Sequence, residues 1–327
     1  MAKCEPDASN LTAGTVIRTY LGHYIVETAT GTHNCRLSSK LRKQLTYPEA
    51  NPGSRRRQVQ SVRRLRVVDP VAIGDRVEIE PGGGETGMIM QVLPRHSKIS
   101  RAASGGANKE QVLAANVDQA IPIMSAAEPG PDWNLLDRLL AISEWQEIAV
   151  SIVYNKMDLV DEDEAREQMT PYEKAGYPVL YTSAVTDVGK DGFRELLASR
   201  VSLLMGLSGV GKSSLVNWIQ PGLKLRTAEV SEGTGEGRHT TTHMELVALP
   251  GGGLVGDIPG IREFGLWQIE PEDVAGLFPE FRERVVECQF RDCRHLHEPG
   301  CAVKRAVESG EVSRLRYESY LRICAKP

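Results

Sequence analysis

Apolar positions along the chain change their spacing twice, and the changes divide it into stretches of different expected structure. Near the amino end, Thr15 to Tyr20, Tyr24 to Thr28 and Arg76 to Glu80 are rich in β-branched or aromatic residues, and Pro81-Gly82-Gly83-Gly84 turns the chain toward Gly87 to Leu93. Short strands joined by glycine turns predict a small barrel, with an OB-fold and an SH3-like barrel both compatible. Arg95 to Ala107 carries neither period and reads as a linker. Helical spacing then appears at Leu135, Leu136, Leu139, Leu140 and Ile142, and again in the charged stretch Asp163 to Lys174. Among these lie the apolar runs Val117 to Met124, Ile148 to Tyr154, Pro178 to Tyr181, Val201 to Met205 and Leu254 to Gly256. Alternation of that kind predicts a three-layer α/β domain. Pro122 has no N–H for a ladder, so the strand over Val117 to Met124 is expected to end early or to bulge there. Val303 to Leu321 predicts further helices, and no repeat or heptad array is present.

The strongest chemical signal follows the run Val201 to Met205. Gly206, Leu207, Ser208, Gly209, Val210, Gly211, Lys212, Ser213 and Ser214 have the spacing of a phosphate-binding loop, with a helix expected over Ser213 to Ile219. Glycines let backbone N–H groups converge on phosphate oxygens, and the helix N-terminus adds a field that favours anions. Lys212 is expected on the β- and γ-phosphates and the Ser213 hydroxyl on Mg2+. A glycine-rich turn capping a helix is the plainer reading, and the full spacing with Lys-Ser argues against it.

Asn155-Lys156-Met157-Asp158 selects the base. Its carboxylate, Asp158, can accept two hydrogen bonds from guanine N1–H and the exocyclic amine, which adenine does not offer. Asn155 is expected to meet the base edge and brace the loop, and the Lys156 stem to cover the base plane. Ser183 and Ala184, after Pro178 to Tyr181, bring backbone to the guanine carbonyl oxygen. Because the base element precedes the phosphate loop, the order is rotated relative to an ordinary GTPase, as a circular permutation requires.

Asp257-Ile258-Pro259-Gly260 fits an Asp-x-x-Gly element, with Asp257 on Mg2+ through water and the Gly260 N–H on the γ-phosphate. Upstream, Gly233 to Thr242 is glycine-rich and polar. One threonine there, Thr240 or Thr241, is expected to close over Mg2+. The residue after Gly260 is Ile261, where many GTPases carry a water-orienting glutamine, so intrinsic hydrolysis is expected to be slow.

Cys288, Cys293, His295 and Cys301 place three thiolates and an imidazole in a short span, the donor set of a closed tetrahedral zinc site. His297 is an alternative ligand. Cys4, Cys35 and Cys324 are scattered, and no secretory apolar core is evident, so disulfides are the weaker reading.

Taken together, Ile73 to Ile79, Ala115-Asn116-Val117-Asp118, the nucleotide elements, Arg238 to Thr242 and the cysteine cluster resemble the RsgA family, also called YjeQ. The resemblance implies an all-β OB-fold barrel over residues 1–100, a permuted α/β P-loop GTPase domain over 101–267 and a helical zinc-binding domain over 268–327. It implies a late-acting small ribosomal subunit assembly GTPase that binds rRNA, is stimulated by the subunit and converts GTP to GDP. It also points to His239 as the group that positions water, and to His295 as the zinc ligand. Ile258 stands where the family usually has threonine.

Charge supports an RNA-binding barrel. Residues 1–115 hold 17 Lys and Arg against 10 Asp and Glu, a net +7, so the remainder of this −4 chain carries −11. Arg55, Arg56, Arg57, Arg63, Arg64 and Arg66 supply much of that excess and are candidate rRNA phosphate contacts; a solvated basic loop is the alternative. With 327 residues and no membrane-length apolar run, the expectation is a soluble, cytoplasmic, monomeric protein. A P-loop ATPase or kinase, and an RNA-binding scaffold with a structural GTP site, are the other classes considered.

Overall fold

A computed structural model of the chain describes residues 11–20, 22–46, 70–102, 110–221, 244–258 and 269–325. They form two compact units, Met1–Asn116 with Gly235–Val247 and Val117–Thr234 with Ala248–Pro327.

In the first unit, β1 (Thr12–Tyr20), β2 (His23–Thr28) and β3 (Gly31–Leu37) form an antiparallel meander, followed by α1 (Ser39–Thr46), β4 (Arg76–Pro81) and β5 (Thr86–Val92). The sheet closes in the order β1-β2-β3-β5-β4, with β3 parallel to β5 and β4 returning to β1. That five-stranded Greek-key closure is the OB-fold, which decides between the two expected barrels. Alternate residues Val16, Val26, Cys35, Val77, Ile79 and Ile89 fill its interior and are fully buried.

The Ile73-Gly74-Asp75 turn is held from several sides. Asp75, fully buried, accepts from Ala72 N–H at 2.7 Å and from both Arg95 Nε and Nη2 at 2.7 Å. A Cβ on Gly74 would lie 2.0 Å from the Ala115 carbonyl, so only glycine fits where the next segment crosses. Asn116 donates from Nδ2 to the Gly74 carbonyl at 2.9 Å. The segment expected to be a linker is instead part of a hairpin, β6 (Lys98–Ala102) with β7 (Glu110–Ala115). Its fully buried apolar anchors include Ile99, Ala114 and Ala115, too few for a period to show in the sequence, and the Ala115 N–H to Ile73 carbonyl bond supports it from outside.

The second unit contains β8 (Gln119–Ser125), α2 (Trp133–Trp145), β9 (Ala149–Val150), β10 (Ile152–Asn155), α3 (Glu162–Lys174), β11 (Val179–Thr182), α4 (Lys190–Leu197), β12 (Val201–Met205) and α5 (Lys212–Ile219). The chain passes from one unit to the other within β13 (Leu246–Ala248) and continues into β14 (Leu254–Asp257). The parallel order β11-β10-β8-β12-β14 has its switch point between β8 and β12, where neighbouring connections leave in opposite directions. Ligand crevices form beyond the carboxyl ends of strands at such a point. Asp132 and Asp161 cap α2 and α3 with side-chain acceptors, as short polar residues do at helix starts.

β8 runs through Pro122 without ending, contrary to the expectation. In a parallel ladder the donor Pro122 lacks would have pointed to Ser151, because Ala120 accepts from Ser151 N–H two residues earlier. The neighbouring edge breaks there into β9 and β10, so the interruption appears in the partner strand.

Three helices, α6 (Pro279–Val285), α7 (Ala302–Glu308) and α8 (Arg314–Cys324), complete the unit and share a core with Ala141 of α2. Tyr320 meets Phe278 and Phe281 edge-on at 5.7 and 5.2 Å. Beside them Arg316 is 1 % exposed, donating to Asp137 at 2.5 Å and to both Glu280 oxygens at 2.7 and 3.1 Å, with its guanidinium 4.6 Å from the Phe278 ring centre. Burial pushes the Asp137 carboxyl up and the guanidinium opposes that shift. Removing one partner of such a group strands buried charge, so Arg316→Ala is expected to destabilise this unit by about 3–5 kcal/mol, read as a lower denaturant midpoint.

Candidate functional site

The phosphate loop connects β12 to α5, and two of its glycines are fixed by close approach. A Cβ on Gly206 would lie 2.4 Å from the Ile123 carbonyl of β8. One on Gly211, whose φ of 102° also disfavours other residues, would lie 2.3 Å from Asn155 Nδ2. Lys212 is buried and donates from Nζ to the carbonyls of Gly206 at 2.8 Å and Leu207 at 3.0 Å. These bonds fold the ammonium back over the loop that Gly206 to Ser214 form.

Register places Asp257 beside it, since Leu204 of β12 pairs with Asp257 at the end of β14. Asp257 Oδ2 lies 3.7 Å from Lys212 Nζ. Burial pushes this carboxyl up to about 6, against the pull of Lys212. Its Oδ1 is buried with no hydrogen-bond partner among the described residues. A buried carboxylate oxygen left free in this way fits a cation or its bound water. Ile258, at the departure from the family pattern, is 2 % exposed and donates its N–H to Leu204, so an apolar side chain suits the core position.

At the end of β10, Asn155 joins the base element to the phosphate loop. Its Nδ2 donates to the Val210 carbonyl at 2.9 Å, and its Oδ1 accepts from Thr182 Oγ1 at 2.9 Å. Both ends of the amide therefore brace backbone and side chains of neighbouring loops. Lys156 takes a left-handed φ of 65° and donates to the Glu128 carbonyl, and Met157–Leu159 makes one tight turn that leaves Asp158 exposed. Ser183, fully buried, donates to Asp158 Oδ1 at 2.5 Å and accepts from the N–H groups of Val185 and Thr186 at 3.2 Å. Ala184 follows it, half-buried. Sequence reasoning missed the side-chain contacts of Thr182 and Ser183, having used Ser183 and Ala184 only for their backbone.

A second cluster lies in the carboxyl-terminal part. The ligand atoms of Cys288, Cys293, His295 and Cys301 lie within 4.8 Å of one another. His295, fully buried, turns Nδ1 toward Cys288 Sγ at 3.6 Å and Cys301 Sγ at 3.4 Å. Ala302 and Lys304 donate their N–H groups to Cys288 and Cys301 sulfurs at 3.4 Å, an arrangement that suits thiolates. Glu298 holds the intervening loop by accepting from the N–H groups of Arg294, Leu296 and His297. Burial pushes Cys293 up to about 12, and a cation held by the cluster would favour its thiolate, the proton leaving to solvent. Four soft or borderline donors and no described fifth ligand fit a structural site rather than an open one. His297, the alternative, is not in the cluster.

His239, Thr240, Thr241, Gly260 and the arginines Arg55, Arg56, Arg57, Arg63, Arg64 and Arg66 lie outside the described residues.

Comparison with known proteins agrees with this geometry. The RsgA GTPase family matches residues 92–267. A small ribosomal subunit biogenesis GTPase RsgA from Gemmatimonas aurantiaca is 47% identical over 255 residues, covering 77% of this chain and 83% of that one. Among solved structures, YjeQ from Thermotoga maritima superposes with a TM-score of 0.74 at 34% identity, covering 96% of this chain and 98% of that one. YloQ, described as a circularly permuted GTPase, gives 0.68 at 28% identity, with 98% and 96% covered.

Because the Asn155 amide serves two loops, Asn155→Ala is expected to weaken GTP binding about tenfold or more, the loss of one to two buried hydrogen bonds, in a titration with labelled nucleotide.

Proposed function

The chain belongs to the RsgA GTPase family, and from that we propose that it hydrolyses GTP in the maturation of the small ribosomal subunit. The observation that carries this reading is the bridge from Asn155 to Val210, which holds a guanine-reading carboxylate and a phosphate loop in one crevice. Asp158 accepts from the N1–H and 2-amine of guanine, with the Ser183 hydroxyl donating to one of its remaining lone pairs. Backbone N–H groups of Gly206 to Ser214 receive the phosphates, and Lys212 leaves its two carbonyls to neutralise β- and γ-oxygens. Ser213, Asp257 and Thr240 or Thr241 hold Mg2+, which when bound neutralises charge developing between the β- and γ-phosphates. Gly260 N–H senses the γ-phosphate.

His239 takes the part that Ile261 cannot, orienting water in the subunit-bound protein. The basic residues from Arg55 to Arg66 bind rRNA phosphates, and the barrel over 1–100 presents them to the subunit. The cysteine cluster holds one structural zinc that organises residues 268–327. No helix among the described residues is long and apolar enough to cross a membrane.

The decisive assay is phosphate release with GTP or ATP, with small subunits and with large subunits as control. Slow GTP turnover accelerated by small subunits alone is expected, and His239→Ala is expected to remove the acceleration with GTP affinity unchanged. Turnover that prefers ATP, or that ignores the subunit, rejects the reading. Elemental analysis is expected to find one zinc per chain, and prolonged chelation to reduce helical ellipticity as residues 268–327 lose their order.

A further inference from the structure

A second tie joins the base-reading loop to the phosphate-binding helix, through residues that no nucleotide motif includes. The loop between β11 and α4 is closed at its root by Ser183 N–H on the Val188 carbonyl at 3.0 Å. Its inner side holds Asp158 through the Ser183 hydroxyl. On its outer side, Asp187 Oδ1 accepts from Trp218 Nε1 at 2.6 Å and from Lys190 Nζ at 3.1 Å. Trp218 stands on α5, the helix that begins at Lys212. Lys190 Nζ also lies 5.3 Å from the Trp218 ring centre, so cation, carboxylate and indole form a closed set.

Packing alone does not account for this set. Asp187 has a side chain 70% exposed, so burial does not force its carboxylate to seek a donor. It also adopts a left-handed φ of 61°, which costs a residue with a Cβ free energy that other interactions must offset. Aspartate tolerates that conformation better than most residues and supplies the acceptor as well. Trp218 is half-buried, and its indole N–H finds its partner in this loop. The Trp218 N–H, followed by Lys190, holds the Asp187 carboxyl below its usual range, as a hydrogen bond to the ionised form does.

We propose that Asp187 and Trp218 form a latch that holds the loop from Ser183 to Gly189 against α5, and so keeps Ser183 and Asp158 in register with the phosphate loop. Both are positioning residues for guanine recognition. Asn155 joins the two elements at the inner wall of the site, and the latch joins them at the outer wall. With both ties closed, the base reader and the phosphate binder move as one body. With the outer tie open, the loop swings about its Ser183 root and Asp158 loses its fixed partner. The inference rests on reading Asp158 as the guanine ligand.

The test uses the full chain and ribose-labelled GDP and IDP, whose hypoxanthine base lacks the 2-amine. Trp218→Phe keeps the ring and removes the donor; Asp187→Ala removes the acceptor from an exposed position; Asp187→Asn keeps an acceptor oxygen. Trp218→Phe and Asp187→Ala are each expected to release GDP about tenfold faster, the worth of one charge-assisted hydrogen bond. Their preference for GDP over IDP shrinks in parallel, Asp187→Asn, which keeps the acceptor without the charge, falls between the parent protein and Asp187→Ala, and the double variant is no worse than either single one. An unchanged GDP-over-IDP preference in Asp187→Ala, or additive effects in the double variant, overturns the latch even where the melting temperature falls. Asp158→Ala in the otherwise unaltered chain tests the underlying reading separately: if it keeps the parent preference for GDP over IDP, Asp158 is not the base ligand.

Discussion

One amide side chain carries the geometry of the candidate site. Asn155 is buried at the carboxyl end of β10, where it donates to the phosphate loop and accepts from Thr182 at the end of β11. Buried polar groups left without partners are costly, so these contacts fix two neighbouring loops at once. Gly211 depends on the same residue, because the space a Cβ would need there is taken by the Asn155 amide. Loop conformation, base element and the start of α5 are therefore one packing problem with one solution.

That dependence explains why a rotated chain order leaves the site whole. Parallel ladders set which strand ends are neighbours: Leu204 lies beside Asp257, and Met205 beside Pro122. Hydrogen bonds between strands carry no memory of which segment was synthesised first. What the rotation alters is the path between elements. The chain leaves the strand that ends in Asp257 and reaches the carboxyl-terminal helices, which share their core with α2 through Ala141 and are joined to it by the Arg316 to Asp137 pair. Those helices form an apolar core that includes Cys301 and against which Cys288 and Cys293 pack, and Glu298 holds the loop between them through three backbone N–H groups.

Elements with a strong period or a fixed spacing were legible from sequence. The strand Val201 to Met205, the helix at Leu135 to Ile142, the phosphate loop and the Cys288 to Cys301 cluster all fall where their residues predicted, whereas the run Ile148 to Tyr154 is divided at Ser151 into β9 and β10. Less legible were elements whose stability comes from elsewhere. The β6–β7 hairpin has few buried anchors and depends on Ile73 across the barrel edge, so no local window reveals it. Pro122 misled because its cost falls on the facing strand. Asp137, an acidic residue on an apolar helix face, acquires its meaning only from Arg316, far along the chain.

The sequence by itself determined which chemical groups this protein owns and their local spacing: a phosphate-loop glycine pattern, the Asn-Lys-x-Asp carboxylate, three thiols with an imidazole, and strands of apolar residues. Local spacing fixes these because backbone geometry within a few residues is set by residue type. Tertiary structure alone decided the closure order of the barrel, the double use of the Asn155 amide, the Ser183 hold on Asp158 and the Asp187 to Trp218 contact. Each of those joins residues distant in sequence, and such pairings are selected by the packing and hydrogen bonding of the whole unit, which no single segment encodes.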